Sequence, residues 1–303
     1  MARPSSSSSA SRPSEATTIR ATSREALINA TAAARTARLA SEDDDSVSYA
    51  FDKGDITPVT HTNASLTPFD PKLLPSGQLS LALISLQGFW TGFALAASLI
   101  IAPQLAYSGN GLWRFFAFLG SLSLFHFLEF WTTARFNTPA AQASSYLIYS
   151  NGTAYNVAHT CAALEILLSY SFFPGWQAWL SGPIMATIGL LVVITGQAVR
   201  STAMATAGTN FNHIPQQARK EGHQLVTEGI YGVSRHPSYF GFFWWALGTQ
   251  LLVGNKLCLV AYALVLRKFF SDRIRGEEKK LVEFYGQEYE SYRARVPTGI
   301  PFI

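Results

Sequence analysis

The sequence predicts an all-α integral membrane protein with about six transmembrane helices, including a C-terminal helical hairpin, and a polar cytosolic cap. Two observations on charge and one on hydrophobicity predict this fold class. Only 14% of the 303 residues are charged, against roughly 25% in an average soluble domain. Six apolar runs follow residue 78, separated by short polar segments. Between residues 76 and 218 the charged side chains are limited to Arg114, Glu129, Arg135, Glu165 and Arg200, too few for a water-facing surface of that size.

Residues 1–75 are predicted to form a disordered polar tail. This segment contains a serine run from Ser5 to Ser9, 8 basic and 9 acidic residues, few aromatic residues and no sustained apolar period. Such a composition buries too little apolar surface to offset the entropy lost on ordering. A mitochondrial presequence is the alternative interpretation, because residues 1–41 hold six arginines and only two acids, Glu15 and Glu25.

Four apolar runs, at residues 79–102, 112–132, 154–173 and 180–199, are predicted to cross the membrane. A helix needs about 20 residues to cross a hydrocarbon core of about 30 Å. Backbone groups in lipid must be paired within their own segment, which makes these runs helices rather than strands. The small residues Gly182, Ala186 and Gly189 in the fourth run predict close packing against another helix.

The last two apolar runs, at residues 239–253 and 257–270, are shorter and predict a helical hairpin. Between them, Gly254-Asn255-Lys256 predicts a tight turn. His236 and Pro237 precede the first of these helices, and a proline is favoured in the first turn of a helix. The cap is predicted to consist of the loop before the hairpin and the C-terminal helix. The chain thus divides into a tail (1–75), a transmembrane body (76–203) and a C-terminal region (204–303).

Basic residues predict the orientation of the helices. Arg135, Arg200, Arg235 and the basic residues after Leu266 fall on the same side as the tail, whereas Lys256 is the single basic residue of the far-side loops. Basic loops face the cytosol, so both termini are predicted to be cytosolic. The glycosylation sequons that begin at Asn63 and Asn151 would then remain unmodified.

Polar residues within the apolar runs leave two interpretations open. His126 and Glu129, at i and i+3 on the second helix, suit either a metal or proton-relay role or a satisfied hydrogen-bond network between helices. Glu165 on the third helix has Arg135 and Arg200 as candidate partners. The two cysteines, Cys161 and Cys258, match neither a disulfide framework nor a zinc site and are predicted to be structural.

The motifs that carry chemistry follow residue 203. They are Asn-Phe-Asn-His at 210–213, His-x-Leu-Val at 223–226, Arg-His-Pro-x-Tyr at 235–239 and Arg-Val-Pro-Thr-Gly-Ile-Pro-Phe at 295–302. In these motifs and their spacing the chain resembles the isoprenylcysteine carboxyl methyltransferase family of endoplasmic-reticulum membrane enzymes. The resemblance is close over residues 204–303 and weaker through the apolar helices; it does not cover the tail. It implies that residues 204–303 are a catalytic methyltransferase region.

The resemblance also implies an activity. The expected reaction is that of a protein-S-isoprenylcysteine O-methyltransferase, in which S-adenosylmethionine methylates the C-terminal prenylcysteine carboxylate of CaaX-processed proteins. The expected partners are prenylated proteins, such as small GTPases or prenylated pheromones, together with membrane lipids; no metal is expected. Nucleic acid is not an expected partner, because the basic residues flank apolar runs rather than forming a patch with interleaved aromatics.

Individual site residues are carried over from the family motifs. Arg273 matches the residue that meets the prenylcysteine carboxylate, and its planar guanidinium suits that group; it is the expected catalytic and substrate-binding residue. Arg273 and Glu277 are also spaced as an intrahelical ion pair, and Arg275-Gly276 leaves the register of Glu277 and Glu278 open. The residues expected to bind the cofactor are Gln216, His223, Gln224, Leu225, Val226, Tyr231, His236, Pro237, Ser238, Tyr239 and Glu277.

Two other classes of function compete with this reading. Phospholipid methyltransferases and membrane sterol reductases share the Arg-His-Pro-x-Tyr motif in a looser form. An amine acceptor, however, must be deprotonated and therefore needs a base, and it has no use for Arg273. A non-catalytic membrane scaffold or transporter is the third class, and it predicts no saturable binding of S-adenosylmethionine.

Overall fold

The computed structural model of the protein describes residues 71–303, except residues 179, 181, 220, 221 and 302. Within these residues all regular secondary structure is helical. Residues 71–79 form turns and bends ahead of the first helix. Residues 1–70 of the predicted tail lie outside the described residues. The choice between a disordered segment and a presequence concerns these residues.

Eight α-helices and four short 3₁₀ turns make up the described chain. The α-helices are α1 (Leu81–Tyr107), α2 (Trp113–Phe136), α3 (Thr153–Phe172), the short α4 (Pro174–Ala178), α5 (Pro183–Ala207), α6 (Pro237–Val253), α7 (Lys256–Tyr285) and α8 (Gln287–Arg295). The 3₁₀ turns are Thr138–Ala140, Ala143–Tyr146, Gly208–Asn210 and Gly229–Gly232.

Each of the six predicted spans coincides with one long helix, namely α1, α2, α3, α5, α6 and α7. Three helical segments among the described residues are long and apolar enough to cross a membrane: α1, α2 and Pro183–Asn210, which extends α5 through the following 3₁₀ turn. The number of six spans therefore stays a prediction. Two of the helices are longer than the apolar runs that predicted them: α5 ends at residue 207 rather than 199, and α7 ends at residue 285 rather than 270. Hydrophobicity marks the lipid-covered part of a helix, not the end of its hydrogen bonding.

The predicted tight turn is present between α6 and α7 but is shorter than the three residues expected, because Lys256 already belongs to α7. Gly254 adopts a left-handed conformation with φ of +73°, and its N–H donates to the carbonyls of Gln250 and Leu251. Asn255 is fully buried, where its side-chain amide donates to the carbonyl of Ala162 at 3.0 Å. A residue with a Cβ is strained in this backbone conformation, so glycine permits the tight turn.

The start of α7 is held by Glu165 of α3. Its carboxylate accepts the backbone N–H groups of Lys256, Leu257 and Cys258 at 2.7, 3.0 and 2.8 Å. These donors have no partner within the helix, and a carboxylate suits the positive end of the helix dipole. Neither Arg135 nor Arg200, the partners considered from the sequence, is needed to satisfy Glu165.

Helices α5 and α6 pack at backbone contact through glycines. A Cβ at Gly189 would lie 2.3 Å from the Leu252 nitrogen, and one at Gly196 would lie 2.5 Å from the Trp245 nitrogen. On the facing helix, Gly241 approaches the backbone of α5 equally closely. The prediction of close packing is therefore confirmed at Gly189. It is wrong at Gly182, which has no neighbour within 4 Å of its Cβ direction and precedes the first residue of α5.

The buried core lies among α2, α3, α6 and α7 and is rich in aromatic rings. Phe125 of α2 stacks on Trp245 of α6 with 4.4 Å between ring centroids. Phe242 links the same cluster to Phe270 of α7 at 6.0 Å. This core joins the hairpin to the preceding helices and fixes the position of the polar segments at its end.

Candidate functional site

A partly open cavity of about 150 Å³ lies where the loop after α5, the start of α6 and the C-terminal part of α7 meet. Its wall contains every residue that the sequence analysis expects to bind the cofactor. These residues are Gln216, His223, Gln224, Leu225, Val226, Tyr231, His236, Pro237, Ser238, Tyr239 and Glu277. They belong to three different parts of the chain, and the fold brings them together.

The loop after α5 forms one side of this cavity. The side-chain carbonyl of Asn210 accepts the backbone N–H of Gln224 at 2.9 Å, which draws the two ends of the loop together. The Nε2 atom of Gln216 is buried and has no hydrogen-bond partner among the described residues. A buried donor without a partner is costly, and a polar ligand in the cavity would satisfy it.

Tyr231 and Tyr239 line the opposite side. Burial raises the pKa of the Tyr231 hydroxyl, and the Glu277 carboxylate raises this pKa further, so the phenol stays protonated as a donor. Tyr231 donates to the carbonyl of Ala203 at 3.3 Å. The ring of Tyr239 stacks on that of His236, with 5.6 Å between centroids and 7° between planes. Pro237 begins α6 as predicted, so helix geometry sets the direction of these side chains.

Arg273 lies beside the cavity rather than on its wall. Its Nε donates to the hydroxyl of Tyr239 at 3.1 Å, and this hydroxyl donates to Glu277 at 2.7 Å. The guanidinium also donates to the main-chain carbonyl of His213 and faces the rings of Tyr239 and Phe269 at 5.5 and 5.7 Å. The Tyr239 hydroxyl of α6 thus connects Arg273 and Glu277, which lie four residues apart on α7.

Glu278 has a different position from Glu277. It accepts hydrogen bonds from His236 at 3.2 Å and from Arg235 at 3.0 Å, on the side of α7 that supports the start of α6. Burial alone would raise the pKa of this carboxyl group, but the hydrogen bonds from His236 and Arg235 and the charge of Arg235 hold its pKa at about 2. Glu277 therefore faces the cavity, and Glu278 holds the wall in place.

The C-terminal segment after α8 supports the same wall from outside. The Arg235 N–H donates to the carbonyl of Pro297 at 2.9 Å, and the Ser234 hydroxyl donates to the carbonyl of Thr298 at 2.6 Å. The Tyr292 hydroxyl of α8 donates to the carbonyl of Tyr231 at 2.6 Å. These contacts give the terminal sequence motif a structural role next to the cavity.

A cluster of Glu129, Arg200 and His213, in which the first two residues are buried and His213 is partly exposed, was only partly anticipated from the sequence. Glu129 is fully buried; Arg200 binds it through Nε and, at 2.8 Å, through Nη2, and His213 Nε2 donates to it at 3.0 Å. The network interpretation of Glu129 therefore holds. Arg200, expected from the sequence only as a basic residue on the side of the tail and a candidate partner of Glu165, is 7% exposed inside α5 and binds Glu129 instead.

The cavity wall also contains residues that the sequence analysis did not assign. These are Ala207, Asn210, Phe211, Asn212, Ile214, Pro215, Arg219, Arg235, Lys280, Leu281, Phe284, Tyr285, Tyr289 and Tyr292. Several of them lie three or four residues apart on α7, beginning at Glu277. These α7 residues could have been found from their helical spacing to Glu277, since residues at i+3, i+4 and i+7 lie on the same face of a helix as residue i.

A second, more open cavity of about 440 Å³ lies between α2 and α3 and is mostly apolar. Phe115, Phe118, Leu119 and Leu122 are among its lining residues, with His126, Tyr155 and His159 as polar members. His126 donates from Nδ1 to the carbonyl of Tyr146 at 2.7 Å and accepts from the Tyr155 hydroxyl at 3.2 Å. His126 is thus part of a hydrogen-bond network between helices, as one of its two interpretations expected.

Aromatic contacts join the two cavities. Tyr155, on the wall of the second cavity, lies 6.4 Å from Phe242 between ring centroids. Phe242 lies 6.0 Å from Phe270, and Phe270 lies 5.2 Å from Tyr239 on the wall of the first cavity. The polar and apolar cavities are therefore parts of one continuous packing arrangement.

Comparisons with known proteins agree with this arrangement. The profile of the isoprenylcysteine carboxyl methyltransferase (ICMT) family matches residues 187–283. The protein-S-isoprenylcysteine O-methyltransferase of Saccharomyces cerevisiae is 44% identical over 223 residues, which cover 73% of this chain and 91% of that protein. The human enzyme of the same name is 40% identical over 222 residues, covering 73% of this chain and 75% of that protein.

A solved structure is similar as well. The eukaryotic intramembrane Ras methyltransferase ICMT superposes with a TM-score of 0.67 at 36% sequence identity, over 73% of this chain and 77% of that chain. The all-α membrane fold is therefore shared with a protein of known structure. At these identities and coverages, the chain belongs to the isoprenylcysteine carboxyl methyltransferase family.

Proposed function

We propose that the protein transfers a methyl group from S-adenosylmethionine to the C-terminal prenylcysteine carboxylate of CaaX-processed proteins, forming a methyl ester. One observation carries the proposal: the eleven residues taken from the family motifs, spread from Gln216 to Glu277, line one cavity beside Arg273. The names of the relatives specify an isoprenylcysteine acceptor.

The reaction sets simple requirements for the protein. An α-carboxyl group has a pKa of about 3.5, so the acceptor is already ionised near neutral pH and needs no general base. The sulfonium of S-adenosylmethionine supplies the methyl carbon. The protein must align the acceptor oxygen and exclude water, because the opposite charges of the reactants cancel as the bond forms.

The first cavity suits a polar, charged cofactor. Its wall combines the Glu277 carboxylate, the imidazole of His236 and the buried, unpartnered amide of Gln216. Ser238 at the start of α6 and residues 223–226 also line this wall. These residues fit S-adenosylmethionine, and in our proposal they hold it.

Arg273 is proposed to orient the acceptor carboxylate. A guanidinium offers several N–H donors in one plane, and among the described residues two of its nitrogens donate, one to the Tyr239 hydroxyl and one to the carbonyl of His213. The second cavity is proposed to hold the prenyl chain, because its lining is apolar and aromatic contacts lead from it to Tyr239. A farnesyl group carries on the order of 10 kcal/mol of preference for an apolar environment.

The location and orientation that we propose for the protein follow from where its two substrates are found. The prenylated substrate stays in the bilayer, and S-adenosylmethionine arrives from the cytosol, so the first cavity must face the cytosol. We propose an endoplasmic-reticulum location with both termini cytosolic, small GTPases or prenylated pheromones as substrates, and a chain divided into a tail (1–75), a transmembrane body (76–203) and a catalytic region (204–303).

The proposal is tested by methyl transfer from radiolabelled S-adenosylmethionine to N-acetyl-S-farnesylcysteine, with the purified full chain in lipid nanodiscs. We expect a base-labile methyl ester with the farnesylated acceptor and none with N-acetylcysteine. Arg273→Ala should lower kcat/KM for the acceptor by roughly 100-fold or more, the order expected when a charged hydrogen-bonding partner is lost.

Arg267→Ala is the matched control, because Arg267 lies on the same helix and outside both cavities. It should keep near wild-type activity. Methylation of phosphatidylethanolamine instead of the acceptor, or full activity of Arg273→Ala, would contradict the proposal.

A further inference from the structure

The cluster of Glu129, Arg200 and His213 lies outside the proposed cofactor cavity, yet it contacts two of the groups that shape the site. His213 Nε2 donates to Glu129 at 3.0 Å, and the main-chain carbonyl of the same His213 accepts from the Arg273 guanidinium. On its other side, Arg200 Nη1 donates to the carbonyl of Ser238 at 3.3 Å. A single carboxylate therefore anchors two different elements of the site.

The anchor itself is rigid. Glu129 is on α2 and fully buried, and both of its oxygens are occupied by Arg200. Arg200 in turn faces the rings of Phe125 and Phe242 at 5.5 and 5.4 Å. A buried ion pair of this kind is costly to disturb, because removal of one partner leaves the other charge unpaired.

The segment that carries His213, in contrast, is a loop. It is tied to α2 at two points: Asn137 donates its side-chain amide to the carbonyl of Phe211 at 3.0 Å, and Glu129 holds His213. Without the imidazole tether, the carbonyl of His213 has one fewer restraint, and the guanidinium bound to it is held less firmly. Loss of preorganisation of this type lowers affinity for the group that the guanidinium binds.

We propose that Glu129 and His213 are positioning residues for the methyl acceptor, in which the buried carboxylate fixes His213 and the carbonyl of His213 fixes the Arg273 guanidinium. The proposal rests on the proposed function only for the role of Arg273 in binding the acceptor carboxylate. It assigns His213 no contact with the substrate or with the reacting atoms.

The test is a double-mutant cycle on binding of N-acetyl-S-farnesylcysteine, measured by equilibrium dialysis with the full chain in nanodiscs. The four proteins are the wild type, His213→Ala, Arg273→Ala and the double variant. We expect His213→Ala to weaken binding roughly tenfold when Arg273 is present, the order of one hydrogen bond to a charged group. In the Arg273→Ala background the same change should weaken binding less than about twofold, because the two residues act as a unit.

Three controls separate positioning from general damage. Binding of S-adenosylmethionine should stay within about twofold of wild type in His213→Ala. Thr209→Ala, an exposed residue of the same segment, should behave as wild type. His213→Gln should restore most of the acceptor affinity, since its amide can donate to Glu129 as the imidazole does. If His213→Ala fails to fold, His213→Asn, whose amide is too short to reach, takes its place in the cycle.

Equal weakening in both backgrounds, no weakening in either, or no rescue by His213→Gln would overturn the positioning role. These outcomes differ from failure of the proposed function. That failure would be a wild-type protein that binds or methylates no farnesylcysteine at all, whatever residue occupies position 213.

Discussion

At the scale of single residues, Glu277 and Glu278 are consecutive carboxylates on α7 that contact different neighbours. Successive residues of an α-helix are rotated by about 100°, which turns Glu277 towards the cavity and Glu278 towards Arg235 and His236. The sequence left the register of these two acids open. The sequence alone could not tell which acid faces the cavity, because the residues that contact the two acids lie far away in the sequence, in α6 and in the loop before it.

The low pKa of Glu278 makes a pH-dependent contribution to stability. The pKa in the folded protein is about 2, below the ordinary value of 4.5, so the stabilisation is present above about pH 4.5 and is lost as the pH falls towards 2. We expect Glu278→Gln to lower the melting temperature by a constant amount between about pH 5 and 7. The difference from wild type should shrink between about pH 4.5 and 2.

Thermal unfolding followed by tryptophan fluorescence across this pH range measures the effect. Glu283→Gln is the matched control, since Glu283 lies on the same helix with its side chain 62% exposed, paired with Lys280. It should change the melting temperature little at any pH. A difference for Glu278→Gln that is the same at acid and neutral pH would contradict the argument.

At the scale of helices, the contact between α5 and α6 depends on the absence of side chains at a few positions. Gly189 and Gly196 of α5, and Gly241 and Gly248 of α6, leave no room for a Cβ. Of these four glycines, only Gly189 belongs to the set of small residues, with Gly182 and Ala186, for which the sequence predicted close packing. The other three positions become evident only when the partner helix is known, since a glycine in an apolar run does not reveal what faces it.

Gly196→Ala should destabilise the protein by about 2 kcal/mol or more, because the new Cβ would lie 2.5 Å from the Trp245 nitrogen and the helices must separate. The separation would also disturb the contact of Arg200 with Ser238 four residues further along α5, so activity should fall with stability. Thermal unfolding and the methyl-transfer assay measure both effects.

Gly92→Ala in α1 provides the comparison. Its Cβ direction is open, with nothing within 4 Å, and alanine stabilises a helix relative to glycine by about 1 kcal/mol. This variant should melt at or above the temperature of the wild type. If both variants destabilise the protein equally, close approach of α5 and α6 is not the reason.

Helix boundaries show what composition could not predict. The apolar runs located all six long helices, yet α5 extends to Ala207 and α7 to Tyr285. In both cases the extension carries polar residues of the site, including Arg200 on α5 and Arg273 on α7. Helical hydrogen bonding continues beyond the apolar surface, so hydropathy finds the helix and misses its functional end.

At the scale of the whole molecule, the position of Asn151 relative to the first cavity bears on the orientation of the helices in the membrane. The segment between α2 and α3, which contains Asn151, lies at the end of α2 where Asn137 contacts the loop of the first cavity. The sequon at Asn151 is therefore on the same side as the proposed cofactor site. If this side faces the cytosol, the sequon cannot meet the lumenal glycosylation machinery.

We expect the protein expressed in eukaryotic cells to carry no glycan at Asn151. Gel mobility before and after endoglycosidase treatment measures this, and Asn151→Gln should migrate identically to wild type. An endoglycosidase-sensitive shift that Asn151→Gln removes would place the first cavity in the lumen and contradict the topology.

The carboxylate of Glu165 at the start of α7 also has a consequence for the depth of the reaction. It fixes the first residues of the helix, Lys256 to Cys258, and Arg273 follows on the same continuous helix. At 1.5 Å per residue, Arg273 is held about 25 Å from the pinned end, close to the thickness of the hydrocarbon core. If α7 crosses the membrane as predicted and Arg273 binds the acceptor carboxylate as proposed, this length sets the distance of that carboxylate from the opposite leaflet, whatever the length of the protein attached to it.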